Sequence, residues 1–139
     1  MPGTTKPSPI ALVVCDSIYQ EPTGKTALIG LFNEIRASKF PARHGRLCVF
    51  VSVTDVRPGT QFKLNLVHAE TDHEVARLQG PPPGGLEPTS ICDFSFVMEN
   101  LVFQEPGRHY IQFWGNDHLL LQRPFEVVKI ERKEKRKEE

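Results

Sequence analysis

The stretch that most constrains this chain is Gly107 to Ile130, GRHYIQFWGNDHLLLQRPFEVVKI, which reads as one long β-hairpin. Pro106-Gly107 turns the chain in, His109–Trp114 is rich in β-formers, and Asn116-Asp117 tolerate positive φ at a tight bend. Leu119–Leu121 and Phe125–Val128 then return antiparallel. A two-residue turn at Asn116-Asp117 sets Phe113 opposite Leu120 and Ile111 opposite Gln122. Side chains alternate along a strand, so Ile111, Phe113 and Leu120 share one face while Tyr110, Gln112 and Trp114 share the other. Pro124 has no N–H to give a ladder, which puts the return strand at an edge or puts a bulge there. A bulge re-phases Phe125 and Val127 onto the core face.

The same pattern runs through the rest of the chain. Ile10–Cys15 is a continuous apolar run of strand length, and Asp16–Gln20 carries it to the turn Glu21-Pro22-Thr23-Gly24. Thr26–Ile35 reads as one second strand, in which Gly30 marks a bulge or a close backbone approach. Phe40-Pro41 ends that segment. Arg46–Thr54 alternates cleanly, with Leu47, Val49, Val51 and Val53 on one side and Cys48, Phe50 and Ser52 on the other. Gln61–His68 turns Phe62, Leu64 and Leu66 inward and Lys63 and Asn65 outward, and Glu74–Leu78 follows as a short fifth strand. Gly80–Pro88 is a proline- and glycine-rich surface loop. Ser90–Met98 sends Cys92, Phe94, Phe96 and Met98 inward, and Leu101 and Phe103 lead into Pro106-Gly107.

Seven or eight short strands with turns between them, and no helical stretch, predict an all-β fold. The architecture that fits is a single antiparallel β-sandwich, immunoglobulin-like, with a closed barrel as the alternative. Its core is expected to include Val49, Val51, Leu64, Phe94, Phe96, Ile111, Phe113 and Val127. Residues 1–8 form an arm with nothing to bury, 9–130 the domain, and 131–139 a charged tail without an apolar stripe. Immunoglobulin-like sandwiches place an aromatic at the corner where the penultimate strand begins. Alternation gives that place to His109, and a bulged strand start would give it to Tyr110.

The motifs Cys15-Asp16, Gly24-Lys25, Leu28-Ile29-Gly30-Leu31-Phe32, Phe40-Pro41, Asn100-Leu101…Phe103…Pro106-Gly107 and Pro124-Phe125…Val127 run over about residues 10–130. In them the chain resembles an uncharacterised bacterial family of small immunoglobulin-like β-sandwich proteins, a domain of unknown function. The resemblance implies a sandwich in a bacterial cytoplasm and brings no activity with it. The chain departs from the family at His109-Tyr110, where the aromatic has moved by one residue.

Chemistry is sparse. Lys plus Arg and Asp plus Glu both number 17, so no overall field favours nucleic acid or an anionic membrane. No apolar run approaches membrane-spanning length, and MPGTTKPSP lacks the apolar segment of a secretory signal. A cytoplasmic protein is expected. Gly24-Lys25-Thr26 ends like a phosphate-binding loop, but Tyr19 stands where the first glycine belongs and a strand follows instead of a helix. His68-Ala69-Glu70 has the spacing of zinc deaminases without their cysteine pair. Cys15, Cys48 and Cys92 are widely spaced in apolar runs and read as structural thiols, and Asp72-His73-Glu74 reads as a solvated turn. No catalytic residue, metal or cofactor is therefore expected.

The candidate interaction surface is Tyr110, Gln112 and Trp114, the outward face of the hairpin. The first function expected is a non-enzymatic interaction or structural module, self-associating or docking on a protein partner through a sheet face or edge strand. The alternative is a small-ligand site of carbohydrate type, with Trp114 and Tyr110 as an aromatic platform.

Overall fold

Residues 6–82, 87 and 89–131 are described by a computed structural model of the chain. They form nine strands: β1 (Ser8–Gln20), β2 (Thr26–Leu31), β3 (Glu34–Ala37), β4 (Ala42–Thr54), β5 (Phe62–His68), β6 (Glu74–Gly80), β7 (Cys92–Phe103), β8 (Gly107–Gly115) and β9 (His118–Lys129). The count exceeds the expected seven or eight because one expected strand is two. Four strands pair in the order β2-β1-β4-β7 and five in the order β3-β9-β8-β5-β6. The larger sheet curls into a half-barrel.

The alternation of β4 organises the core. Leu47, Val49, Val51 and Val53 are fully buried against the five-stranded sheet's Phe62, Leu64, Leu66, Ile111 and Phe113. A cluster of rings joins the layers: Phe113 stacks on Phe62 at 5.1 Å and leans on Phe94 at 5.4 Å and Phe96 at 6.0 Å. Phe94 and Phe96 are half-buried at its rim, not inside it as expected. A second group, Phe103, Phe125 and His109, closes the other end.

The hairpin forms as read, with one shift. Asn116 and Asp117 take φ of 47° and 69° in a two-residue turn, and Gly115 faces His118. The bulge lies earlier than Pro124: Trp114 faces Leu119 but Phe113 faces Leu121, so Leu120 is the extra residue. Ile111 accordingly faces Arg123 instead of Gln122. The shift drives Phe125 and Val127 inward, where both are buried. Arg123 is carried to the rim of the same face, and its guanidinium donates to Leu12 O at 3.3 Å and Asn33 Oδ1 at 2.6 Å, clamping β9 to the other sheet.

The expected strand Thr26–Ile35 breaks at Phe32-Asn33. Its first half, β2, pairs antiparallel with β1, and its second half, β3, crosses to the other sheet and pairs parallel with β9. Strand pairing in the two sheets is therefore antiparallel everywhere but at that edge. Gly30 answers the expectation of a close approach: a Cβ there would stand 2.7 Å from Asp16 Oδ2. β7 runs on past Met98 to Phe103, because a kink at Asn100 (φ 55°), opposite Gly45, re-phases both strands together and turns Leu101 and Phe103 inward. At the amino end two residues assigned to the arm, Pro7 and Ser8, belong to the domain. Pro7 is buried, Ser8 opens β1, and its hydroxyl donates to Asp55 Oδ2 at 2.6 Å. Residues 1–5, most of the Gly80–Pro88 loop (83–86 and 88) and tail positions 132–139 lie outside the described residues.

Candidate functional site

Three surface features follow from this frame. The first is the predicted one. Tyr110, Gln112 and Trp114 do share the outer face of β8, opposite Val67, Asn65 and Lys63 of β5. They do not make one flat aromatic platform, since Gln112 stands between the rings and bonds Gln122 at 2.8 Å. Trp114 is half-buried and held at its edge: the indole N–H donates to Asn65 Oδ1 at 3.1 Å. Asn65 donates in turn to Glu74 Oε2 at 3.1 Å, and Arg77 Nε donates to the same carboxylate at 3.1 Å. Burial pushes the Glu74 carboxyl upward, but the bonds from Asn65 and Arg77 outweigh it and hold the group below its ordinary value. Lys63 lays its ammonium over the indole, 4.7 Å from the ring centroid. Beside the ring lies a recess of about 410 Å³ lined by Gln61, Lys63, Arg77, Gln79, Asn116 and Asp117.

Sequence reading placed Asn65 outward, and there it stands, yet it is not open to solvent. It is 6% exposed, because Trp114 and Glu74 cover it. Only the pairing of β5 with both β6 and β8 brings those side chains together, and no local signal announces it.

The second feature is a pair of buried histidines. His68 accepts bonds at Nδ1 from the Glu70 and Thr71 amides and donates from Nε2 to Pro106 O at 3.0 Å, so its neutral tautomer is set by backbone. His109 donates from Nδ1 to Gly107 O at 3.0 Å and meets His68 edge-on at 4.7 Å. Burial drives its pKa below the ordinary value, against the opposing bond to Gly107. His109 thus fills the inward position at the start of β8 that alternation assigned to it, and Tyr110 stays half-exposed outside. A recess of about 190 Å³ opens here beside Thr71, His73, Gln104 and Glu105. Among the described residues no group of three His, Cys, Asp or Glu side chains is placed to hold a metal.

The third feature is the outer face of the four-stranded sheet. Register sets Leu31, Cys15, Cys48 and Val97 in one row across β2, β1, β4 and β7, with Val13 and Phe50 in the next. Leu31 is 65% and Val97 43% exposed, while the two small thiols between them are fully buried. All three cysteines are free. Burial raises the Cys15 thiol, helped by Cys48 opposite, and raises Cys92. A raised thiol carries less thiolate at neutral pH, which weakens Cys15 and Cys92 as nucleophiles. Ile29 and Tyr19 extend the apolar surface at 50% and 58% exposure. Sequence reading missed this face because the unbroken apolar run Ile10–Cys15 has no alternation to tell an inner side from an outer one.

Comparison with known proteins adds a family and little else. The profile of a family of unknown function, DUF6941, matches residues 10–128. No curated protein matches. Among solved structures, the chain is similar to the Pseudomonas fluorescens alkylpurine DNA glycosylase AlkC bound to DNA containing an abasic site analog. The identity is 12% and the TM-score 0.40, over 84% of this chain and 30% of that one. Among the described residues no helix is long and apolar enough to cross a membrane.

Proposed function

The chain belongs to the family of unknown function DUF6941, and from its surface we propose that it is a non-enzymatic interaction module that self-associates through the outer face of its four-stranded sheet. The observation that supports this is the contiguous apolar row. Single exposed apolar side chains are ordinary, but Leu31, Ile29 and Val97 flank a floor of Cys15, Cys48, Val13 and Phe50 that spans all four strands. A second copy is the occupant that the charges favour. With 17 basic and 17 acidic side chains, two copies meet without net repulsion. The patch is edged by Arg46 and Glu99, opposite one another on β4 and β7, so its rim offers both signs to an identical rim. Two such faces stack about 10 Å apart in the manner of sandwich layers.

A reducing, cytoplasmic setting belongs to the same proposal and is supported by three free thiols. So does an immunoglobulin-like kinship, which the buried His109 at its corner supports. The reading assigns no catalytic residue. Sedimentation equilibrium tests it: wild type should associate, and Leu31→Arg and Val97→Arg should each be monomeric with an unchanged fold by circular dichroism. A wild-type chain that stays monomeric at every concentration, or variants that associate as well as it does, would sink the proposal.

A further inference from the structure

We propose that the recess beside Trp114 is a binding site for the ring of a neutral sugar. It lies on the sheet opposite the self-association face, so neither reading depends on the other.

Three observations converge. The first is immobilisation. Trp114 is fixed by Asn65, Asn65 by Glu74 and Glu74 by Arg77, a chain of bonds crossing three strands on the solvent side of a sheet. Such a network holds an aromatic plane in one orientation before any ligand arrives, which lowers the ordering cost of binding. The second is composition. The recess combines that indole with uncommitted hydrogen-bonding groups: the Gln79 and Asn116 amide nitrogens and the Asp117 carboxylate. A sugar ring presents weakly positive C–H bonds on its flat side and hydroxyls, each both donor and acceptor, around its edge. The Lys63 ammonium lies over the indole at 4.7 Å from the ring centroid, so a sugar takes its place on that face as the flexible lysine stem swings aside. The third is charge balance. Lys63 and Arg77 are matched by Asp117 and by Glu74, which Arg77 contacts, so the site has no net field to select an anion. Its volume of about 410 Å³ falls within the range of small-molecule sites.

Trp114 is the only tryptophan, so its fluorescence reads the site directly. Glucose, galactose, mannose, N-acetylglucosamine and cellobiose are titrated separately into the full-length protein. At least one should give a saturating change. Gln79→Ala and Asp117→Gly should each weaken that sugar by roughly tenfold or more, since each removes a hydrogen bond to a hydroxyl and glycine suits the φ of 69° at position 117. Tyr110→Ala should leave it unchanged, because Tyr110 lies two pleat repeats away along β8, opposite Val67. Gln79 and Asp117 are exposed, so both variants should keep the wild-type fold by circular dichroism. The proposal is overturned if none of the five sugars saturates. It is equally overturned if a saturating change survives both substitutions, since the sugar then acts from elsewhere. Repeating the titration on Leu31→Arg separates this result from the oligomer: binding should persist in the monomer.

Discussion

Replacing Phe113 by alanine tests the packing argument most directly. The ring is fully buried and touches Phe62 on its own sheet and Phe94 and Phe96 on the other, so its removal opens a hole in the layer where the sheets meet. Phe→Ala at such a site costs about 3–5 kcal/mol, out of a total stability of about 5–15 kcal/mol. Unfolding entropy of about 2.1 cal/mol/K per residue gives roughly 0.3 kcal/mol/K for this chain, so the melting temperature should fall by roughly 10–17 °C. Phe96→Ala should cost roughly half as much, because that ring is only half-buried at the rim and leaves a space open to water. Urea unfolding followed by Trp114 fluorescence reads both, with the denaturant slope unchanged. A loss below about 1 kcal/mol for Phe113→Ala, or a larger loss for Phe96→Ala, would show that the rings are not arranged as described.

Gly30→Ala should cost about 1–2 kcal/mol, since the residue sits at φ 76° and its new methyl meets Asp16; Asp16→Ala on that background should recover only the contact, not the backbone strain. His109 has a folded pKa below its ordinary 6.5, so the unfolded chain binds the proton more readily. Its contribution to stability is thus intact above about pH 6.5 and is lost as the pH falls through the folded value; His109→Gln should flatten that slope in pH-dependent melts. A chain starting at Pro9 should melt below one starting at Lys6, because it lacks the buried Pro7 and the Ser8–Asp55 bond; equal melting temperatures would make those contacts idle. Chelator should leave the melting temperature unmoved, and stoichiometric zinc in the purified protein would overturn the structural reading of the cysteines.

What the sequence declared, it declared through period. The alternation of Leu47 to Val53 and of Ile111 and Phe113 names the inward face of β4 and β8, because a half-buried strand has no other way to sort its side chains. The Asn116-Asp117 turn was equally legible, since few residues tolerate its backbone. The bulge at Leu120 was not, because three leucines in a row give no sign of which one is extra. Nor was the break at Phe32-Asn33: both halves of 26–37 are good strand sequence, and only the position of β9 pulls the second half across. The candidate sites suffer most. Asn65 looks like any outward polar residue until β6 and β8 close over it, and Cys15 and Cys48 form a row only once β1 is laid against β4.

The parallel seam of β3 on β9 decides when this protein can be finished. Among the described residues β3 pairs with no strand but β9, and β9 is the last strand. A polypeptide growing from its amino end can lay β2 on β1 and β4 on β1 early, yet Glu34–Ala37 must wait for Glu126–Lys129. Until then Phe32 lacks Phe125, the ring it packs against at 5.8 Å. Two backbone bonds, Glu126 N to Asn33 O at 3.0 Å and Ile130 N to Ala37 O at 2.9 Å, then fasten the seam at both ends. The C-terminal strand is the clasp of the molecule. Folding should close late and by distant pairing, with Glu34–Ala37 left without a partner strand until Glu126–Lys129 arrive.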